Sequence, residues 1–291
     1  MAEGMGVDLF AGLTNAALPP LDRTPRILVF DSGLGGLTVL AELVTTLPYA
    51  AYVYAADDAA FPYGALTPER LVTRVVTVME QLIAREAPDL VVIACNTAST
   101  LALPALRARF ALPFVGTVPA VKPAVAATRS GLVTVLATPG AARSEHTHAM
   151  IDAFAGSVKV TLVGAPNLAA FAEAELRGAP IDDAALAAEI APCFVEEDGR
   201  RTDAVALACT HFPLLTRRFR GLSPWEVAWI DPAPAVARRV AALLSASPMP
   251  AGPLAERRAL FTSNRTAPSP LVCALAARGL TAIEAGVSPL D

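Results

Sequence analysis

The sequence predicts an α/β protein of two pseudo-symmetric lobes, each a mainly parallel sheet flanked by helices, with the active site in the cleft between them. Three observations carry this prediction. Apolar runs alternate with helix-period segments along the chain, the pattern of a parallel sheet. Two of those runs close in a matching frame, Val91-Val92-Ile93-Ala94-Cys95-Asn96-Thr97 and Val205-Ala206-Leu207-Ala208-Cys209-Thr210-His211. The run 132–137, followed by Thr138-Pro139-Gly140, echoes the first strand and its Asp31-Ser32-Gly33 turn and opens a second copy of the pattern.

Taken in order, residues 26–30 read as a short apolar strand, 31–36 as a tight glycine turn, and 37–47 as a helix stopped by Pro48. Residues 51–55 form a strand ending near Asp57-Asp58, and Thr67-Pro68 opens a helix reaching about residue 85. The strand 90–94 delivers Cys95, and 97–109 is helical despite Pro104. In the second half, 132–137, 158–163 and 204–208 supply strands, with helices over 145–154, 168–177 and 182–195. From Asp231 on, helices over 234–244 and 270–278 return to complete the first lobe. The expected organisation is an N-terminal extension over 1–23, a first lobe over 24–118 plus 232–291, and a second over 119–231.

Composition narrows the function. With 291 residues and 54% hydrophobic content the chain has material for sizeable cores. A formal charge of −4 with scattered basic residues argues against a nucleic-acid surface. No apolar stretch reaches the length of a membrane span, and the first two dozen residues lack the basic and apolar regions of a signal peptide. Four cysteines without a C-x-x-C pair fit a reducing cytoplasm. Cys193 and Cys273 read as small buried hydrophobes.

Cys95 and Cys209 each end an apolar run beside hydrogen-bonding residues, Asn96-Thr97 and Thr210-His211. Such polar ends are wasteful in a core but suit the carboxylate and ammonium of a ligand at the carboxyl edge of a parallel sheet. A thiolate from each lobe could remove a proton from one face of a carbon and return it to the other, inverting a stereocentre. The thiols need tuning. His211 is a candidate proton partner, while Asp31, Asp57 and Glu173 could orient a thiol or hold an ammonium group. The turn Asp31-Ser32-Gly33-Leu34-Gly35-Gly36 can converge backbone N–H groups on a carboxylate. A dinucleotide site and a purely structural turn remain alternatives there, although Thr38 stands where the dinucleotide fingerprint needs its third glycine. Zinc is an alternative for the cysteines, with His146, His148 and His211 the available histidines. The two lysines, Lys122 and Lys159, have no phosphate loop beside them, so racemisation here would use no pyridoxal cofactor.

Four ordered motifs then match a known family. Phe30-Asp31-Ser32-Gly33-Leu34-Gly35-Gly36-Leu37-Thr38, Phe61-Pro62-Tyr63-Gly64, Ala94-Cys95-Asn96-Thr97-Ala98-Ser99 and Ala208-Cys209-Thr210-His211-Phe212-Pro213-Leu214-Leu215 resemble the glutamate racemases of the cofactor-independent aspartate/glutamate racemase superfamily, over about 27–239. The resemblance implies interconversion of L- and D-glutamate without cofactor or metal, supplying D-glutamate for peptidoglycan. It makes Cys95 the acid–base on the D-glutamate face and Cys209 that on the L-glutamate face. Asp31-Ser32, Pro62-Tyr63-Gly64, Asn96-Thr97, Thr138 and Thr210-His211 fall on substrate-contacting positions, and Asp57 and Glu173 on helpers of the cysteines. A homodimer in the cytoplasm is expected, with no nucleic-acid or membrane partner.

Two departures from the family pattern lie near these positions. Asp58 replaces the usual threonine before the Pro-Tyr-Gly turn, and Ala141 replaces a second threonine three positions beyond Thr138. They motivate two alternatives, a racemase for aspartate or another amino acid and a non-catalytic glutamate-binding homologue.

Overall fold

A computed structural model describes residues 18–245 and 256–287; most of the expected N-terminal extension, 1–17, lies outside the described residues. In chain order the elements are β1 (Arg26–Asp31), α1 (Leu37–Thr46), β2 (Ala51–Ala56), α2 (Pro68–Glu86), β3 (Leu90–Ile93), α3 (Asn96–Arg109), β4 (Phe114–Gly116), α4 (Val121–Ala127), β5 (Leu132–Ala137), α5 (Pro139–Ala142), α6 (Glu145–Phe154) and β6 (Lys159–Gly164). They continue with α7 (Leu168–Arg177), α8 (Asp183–Ile190), β7 (Glu196–Glu197), β8 (Arg200–Arg201), β9 (Ala204–Leu207), α9 (Thr216–Leu222), β10 (Ala228–Ile230), α10 (Ala233–Leu243), β11 (Arg257–Phe261), α11 (Ser269–Ala276) and β12 (Ala282–Glu284).

Local chemistry sets the boundaries. Pro68 starts α2 behind Thr67, whose hydroxyl accepts from the Arg70 N–H, and Ala87 in the left-handed conformation ends it. Ser144 caps α6 and Gly178 closes α7 at φ 71°. The helix expected over 182–195 is shorter: α8 stops at Ile190, a 3₁₀ turn carries Pro192, and a small antiparallel hairpin of β7 and β8 follows.

The strands form two parallel sheets. One runs β12-β11-β2-β1-β3-β4 and the other β10-β9-β5-β6. Toward the end of the chain β11 pairs with β2 and α10 packs on α1. Alternate residues of β1 serve opposite faces, Ile27 and Val29 in one apolar cluster and Leu28 and Phe30 in another. Two further clusters cover the two faces of the second sheet.

This order places the functional residues. In the first sheet the chain leaves β1 for β2 on one side and later adds β3 on the other; in the second it leaves β5 for β6 and later adds β9 opposite. Each gap outside the strand ends is a topological switch point, where open α/β sheets bind ligands. Asp31 and Cys95 stand at the first, Thr138 and Cys209 at the second. Among the described residues no helix is long and apolar enough to cross a membrane.

Candidate active site

The glycine turn after β1 is shaped by carboxylates of the protein itself. Asp31 is fully buried, and its Oδ2 accepts the N–H groups of Gly33 at 3.2 Å and Gly36 at 3.0 Å. Leu34 N–H donates to Glu173 Oε1 at 2.6 Å, and Gly35 N–H points at His211 Nε2 at 3.2 Å. The cradle expected to dock a ligand carboxylate is therefore filled by Asp31 from its own lobe and Glu173 from the other. Close approach explains the glycines: a Cβ on Gly33 would strike Glu173 and on Gly35 the His211 ring, while on Gly36 it would lie 2.8 Å from the Asp31 Cβ.

Cys95 follows β3 and is 6% exposed, with Ser32 Oγ 3.6 Å from its sulfur. Burial first, and then the Asp31 charge, push its thiol pKa well above the ordinary range. Burial likewise raises the Asp31 carboxyl, partly offset by the nearby His211. One Asp31 oxygen, Oδ1, is buried with no hydrogen-bond partner among the described residues, and so is the amide nitrogen of Asn96. Both are polar atoms free to meet a polar ligand.

Cys209 follows β9 and faces His211, whose Nδ1 lies 3.9 Å from the sulfur. His211 Nε2 in turn meets Glu173 Oε1 at 3.1 Å, and Arg177 holds the other Glu173 oxygen at 3.2 Å. Burial opposes a charged imidazole, yet Cys209, Glu173 and Asp31 outweigh it and hold the His211 pKa well above its usual value. Burial would raise Glu173, but His211, the Leu34 N–H and Arg177 hold it below the ordinary carboxylate range. The ring is braced by Phe61, 5.5 Å away between centroids, a residue the motif contained but the sequence reading gave no role. Thr38 Oγ1 donates to the Thr210 carbonyl at 3.1 Å and adds another stitch between the lobes.

The remaining predicted residues divide. Asn96 presents its amide nitrogen because Thr117 Oγ1 donates to its Oδ1 at 3.1 Å, a partner not foreseen. Thr97 and Thr138 are half-buried at the starts of their helices, Thr138 capping the Ala141 N–H at 3.3 Å. Pro62 and Gly64 are exposed, whereas Tyr63 is buried. Asp57, expected as a helper of a thiol, has both its oxygens engaged, by Arg74, Tyr63 and Thr262. Asp58 turns away to the Ser263 N–H and hydroxyl. Cys193 is buried as expected with its thiol pushed up to about 12 by burial, but Cys273 is exposed, contrary to expectation. Among the described residues, no three His, Cys, Asp or Glu side chains converge as metal ligands.

Two thiols stand at the switch points of two facing α/β lobes, Cys95 near Ser32 and Asp31 and Cys209 near the His211–Glu173 pair. Residues 30–240 match the model of the Asp/Glu/Hydantoin racemase family, and the chain belongs to that family. It is 54% identical over 230 residues to a glutamate racemase of Brucella anthropi, covering 79% of this chain and 83% of the relative. A glutamate racemase of Agrobacterium fabrum is 53% identical, covering 75% and 80%. Among solved structures, Escherichia coli glutamate racemase in complex with L-glutamate and the activator UDP-MurNAc-Ala superposes with a TM-score of 0.83 at 37% identity, over 90% of this chain and 98% of that one.

Proposed function

We propose that this protein is an isomerase that interconverts L- and D-glutamate by direct proton transfer between two cysteines, supplying D-glutamate for peptidoglycan. The observation that carries the reading is the arrangement at the two switch points: Cys95 beside Asp31 and Ser32, Cys209 beside the His211–Glu173 pair. With L-glutamate bound, the Cys209 thiolate takes the α-proton, forming S–H as the Cα–H bond breaks. The electron pair stays on Cα, delocalised into the α-carboxylate. Cys95 then gives its proton to the opposite face and is left as thiolate. The charged His211 ring beside Cys209 favours its thiolate, and Asp31 can exchange a proton with Cys95. Ser32, Pro62-Tyr63-Gly64, Asn96, Thr97, Thr138 and Thr210 would hold the ammonium and carboxylate groups. The reading places the enzyme in the cytoplasm as a homodimer, which light scattering on the purified protein tests.

The test of function is a proton NMR time course of L-glutamate with the protein in deuterated water, followed by chiral analysis. Loss of the α-proton signal with appearance of D-glutamate is expected. Cys95→Ala and Cys209→Ala should each abolish racemisation; normal turnover in either would overturn the two-thiol mechanism. Aspartate in the same assay tests the narrower substrate, since one methylene is worth only about 1–3 kcal/mol of discrimination.

A further inference from the structure

Asp57 carries a hydrogen-bond pattern that an acid–base helper would not have. Its Oδ2 accepts from the Tyr63 hydroxyl at 2.6 Å and from Arg74 Nε at 2.9 Å. Its Oδ1 accepts from Arg74 Nη2 at 2.6 Å and from Thr262 Oγ1 at 2.7 Å. Four charge-assisted bonds, two of them from a bidentate guanidinium, saturate a fully buried carboxylate. Three separate parts of the chain meet there: Arg74 from α2, Thr262 just past β11, and Tyr63 from the turn between β2 and α2. Thr262 adds a bridge, accepting from the Ala59 N–H at 3.2 Å while its own N–H continues the ladder to the Ala56 carbonyl at 3.0 Å. The stretch 57–66 is thus pinned at both ends, by Thr262 where it leaves β2 and by the Tyr63 phenol where it reaches the cleft.

The ring of Tyr63 packs in the same apolar cluster as Cys95 and lies 6.4 Å from the ring of Phe30, while its hydroxyl points back to Asp57. The phenol therefore has no proton to offer at the site; its use is to hold the backbone of Tyr63-Gly64 in place. The short α5, which Thr138 begins, packs against that turn from the second lobe.

We infer that Arg74, Asp57 and Thr262 are positioning residues that fix the Tyr63-Gly64 backbone as a substrate-binding wall, so that the segment returning to the first sheet helps set glutamate affinity. The inference rests on the reading above, and its effect falls on binding rather than on proton transfer. Tyr63→Phe removes one bond to a carboxylate that keeps its other three, and Thr262→Val removes another and orphans the Ala59 N–H. Each should raise KM for glutamate by about three- to tenfold with kcat within about twofold, the signature of lost uniform binding. Arg74→Ala would leave Asp57 buried and uncompensated and so test folding; Arg74→Lys keeps the charge without the fork and should fall between wild type and Tyr63→Phe.

The experiment combines initial-rate kinetics in both directions with amide hydrogen exchange over 58–66 on the full-length protein. Faster exchange confined to that stretch, together with raised KM, is the expected result. Equal loss of kcat, or a KM unchanged in Tyr63→Phe and Thr262→Val, overturns the inference. If the wild type leaves glutamate untouched, the proposed substrate falls; exchange over 58–66 then still decides the anchor, and unchanged protection in both variants overturns it.

Discussion

Gly35→Ala isolates the docking of the second lobe on the glycine turn. The backbone of Gly35 is outside the left-handed region, so alanine meets no conformational penalty there. What it meets is the His211 ring: an added Cβ would lie 2.7 Å from both Cε1 and Cγ and closer still to Nδ1, where ordinary contact begins at 3.4 Å. The ring or the turn must retreat by ~1 Å, because Nδ1 lies nearer than the two carbons, to reach van der Waals separation. The ring has little freedom, with Glu173 on Nε2 and the tilted Phe61 ring packed beside it. Displacement on this scale moves Nδ1 relative to the Cys209 sulfur and breaks the Glu173 contact. A misplacement of about 1 Å costs roughly 10²-fold in rate, or about 2.7 kcal/mol of transition-state stabilisation. The assay is circular dichroism of glutamate in both directions, with thermal melts to confirm folding. Gly221→Ala, where an added Cβ has nothing within 4 Å, is the control and should retain full activity. A folded Gly35→Ala enzyme with kcat/KM within threefold of wild type would refute the steric coupling of turn and imidazole.

Two further outcomes follow from the electrostatics. A depressed carboxylate stabilises the fold above its unfolded 4.5 and loses that as pH falls through its folded value; a raised imidazole stabilises fully below its unfolded 6.5 and loses that as pH rises through its folded value. The Glu173–His211 contribution is therefore whole between about 4.5 and 6.5, and urea melts should show His211→Asn losing most stability at pH 5.5 and progressively less in alkali; a difference independent of pH contradicts the pairing. Because burial and then Asp31 keep the Cys95 thiol protonated, iodoacetamide at pH 8 should label the exposed Cys273 well before Cys95, and Asp31→Asn should accelerate Cys95. Mass spectrometry of the labelled peptides decides it, and labelling of Cys95 as fast as Cys273 would contradict the assignment.

The central strands and capped helices were legible because their signals are local. The segments Arg26–Asp31 and Leu132–Ala137 have continuous apolar runs, and Glu145–Phe154 follows a serine cap. The edge strands Phe114–Gly116, Ala228–Ile230 and Ala282–Glu284 were not, since three residues are too few to show a period. Arg257–Phe261 opens on two arginines and reads as surface until it pairs with β2. The site divides along the same line. Both cysteines announce themselves at the ends of apolar runs. The fate of Asp57 does not, because two of its three partners lie 17 and 205 positions away, and Glu173 accepts from the Leu34 N–H, 139 positions distant. The polar ends of the strands identify the cleft; which acid serves which thiol is decided by tertiary contact.

The two halves of the site are chemically unequal, and thermodynamics restricts how that inequality can show itself. L- and D-glutamate have equal free energy in water, so kcat/KM must be the same in both directions whatever the protein does. Cys95 rests as a thiol, held protonated by burial and then the Asp31 charge. On the mechanism proposed above that state suits L-glutamate, which needs an acid at Cys95. D-glutamate needs a thiolate at Cys95, a minor form of the free enzyme reached when the Cys95 proton moves to Asp31 or solvent. Binding to a minor form raises the apparent KM by the inverse of its population. The expected result is therefore a larger KM for D- than for L-glutamate, matched by a kcat larger in the same proportion. Progress curves from both enantiomers measure all four constants, and a KM for D-glutamate at or below that for L-glutamate would refute the proton distribution read from the site.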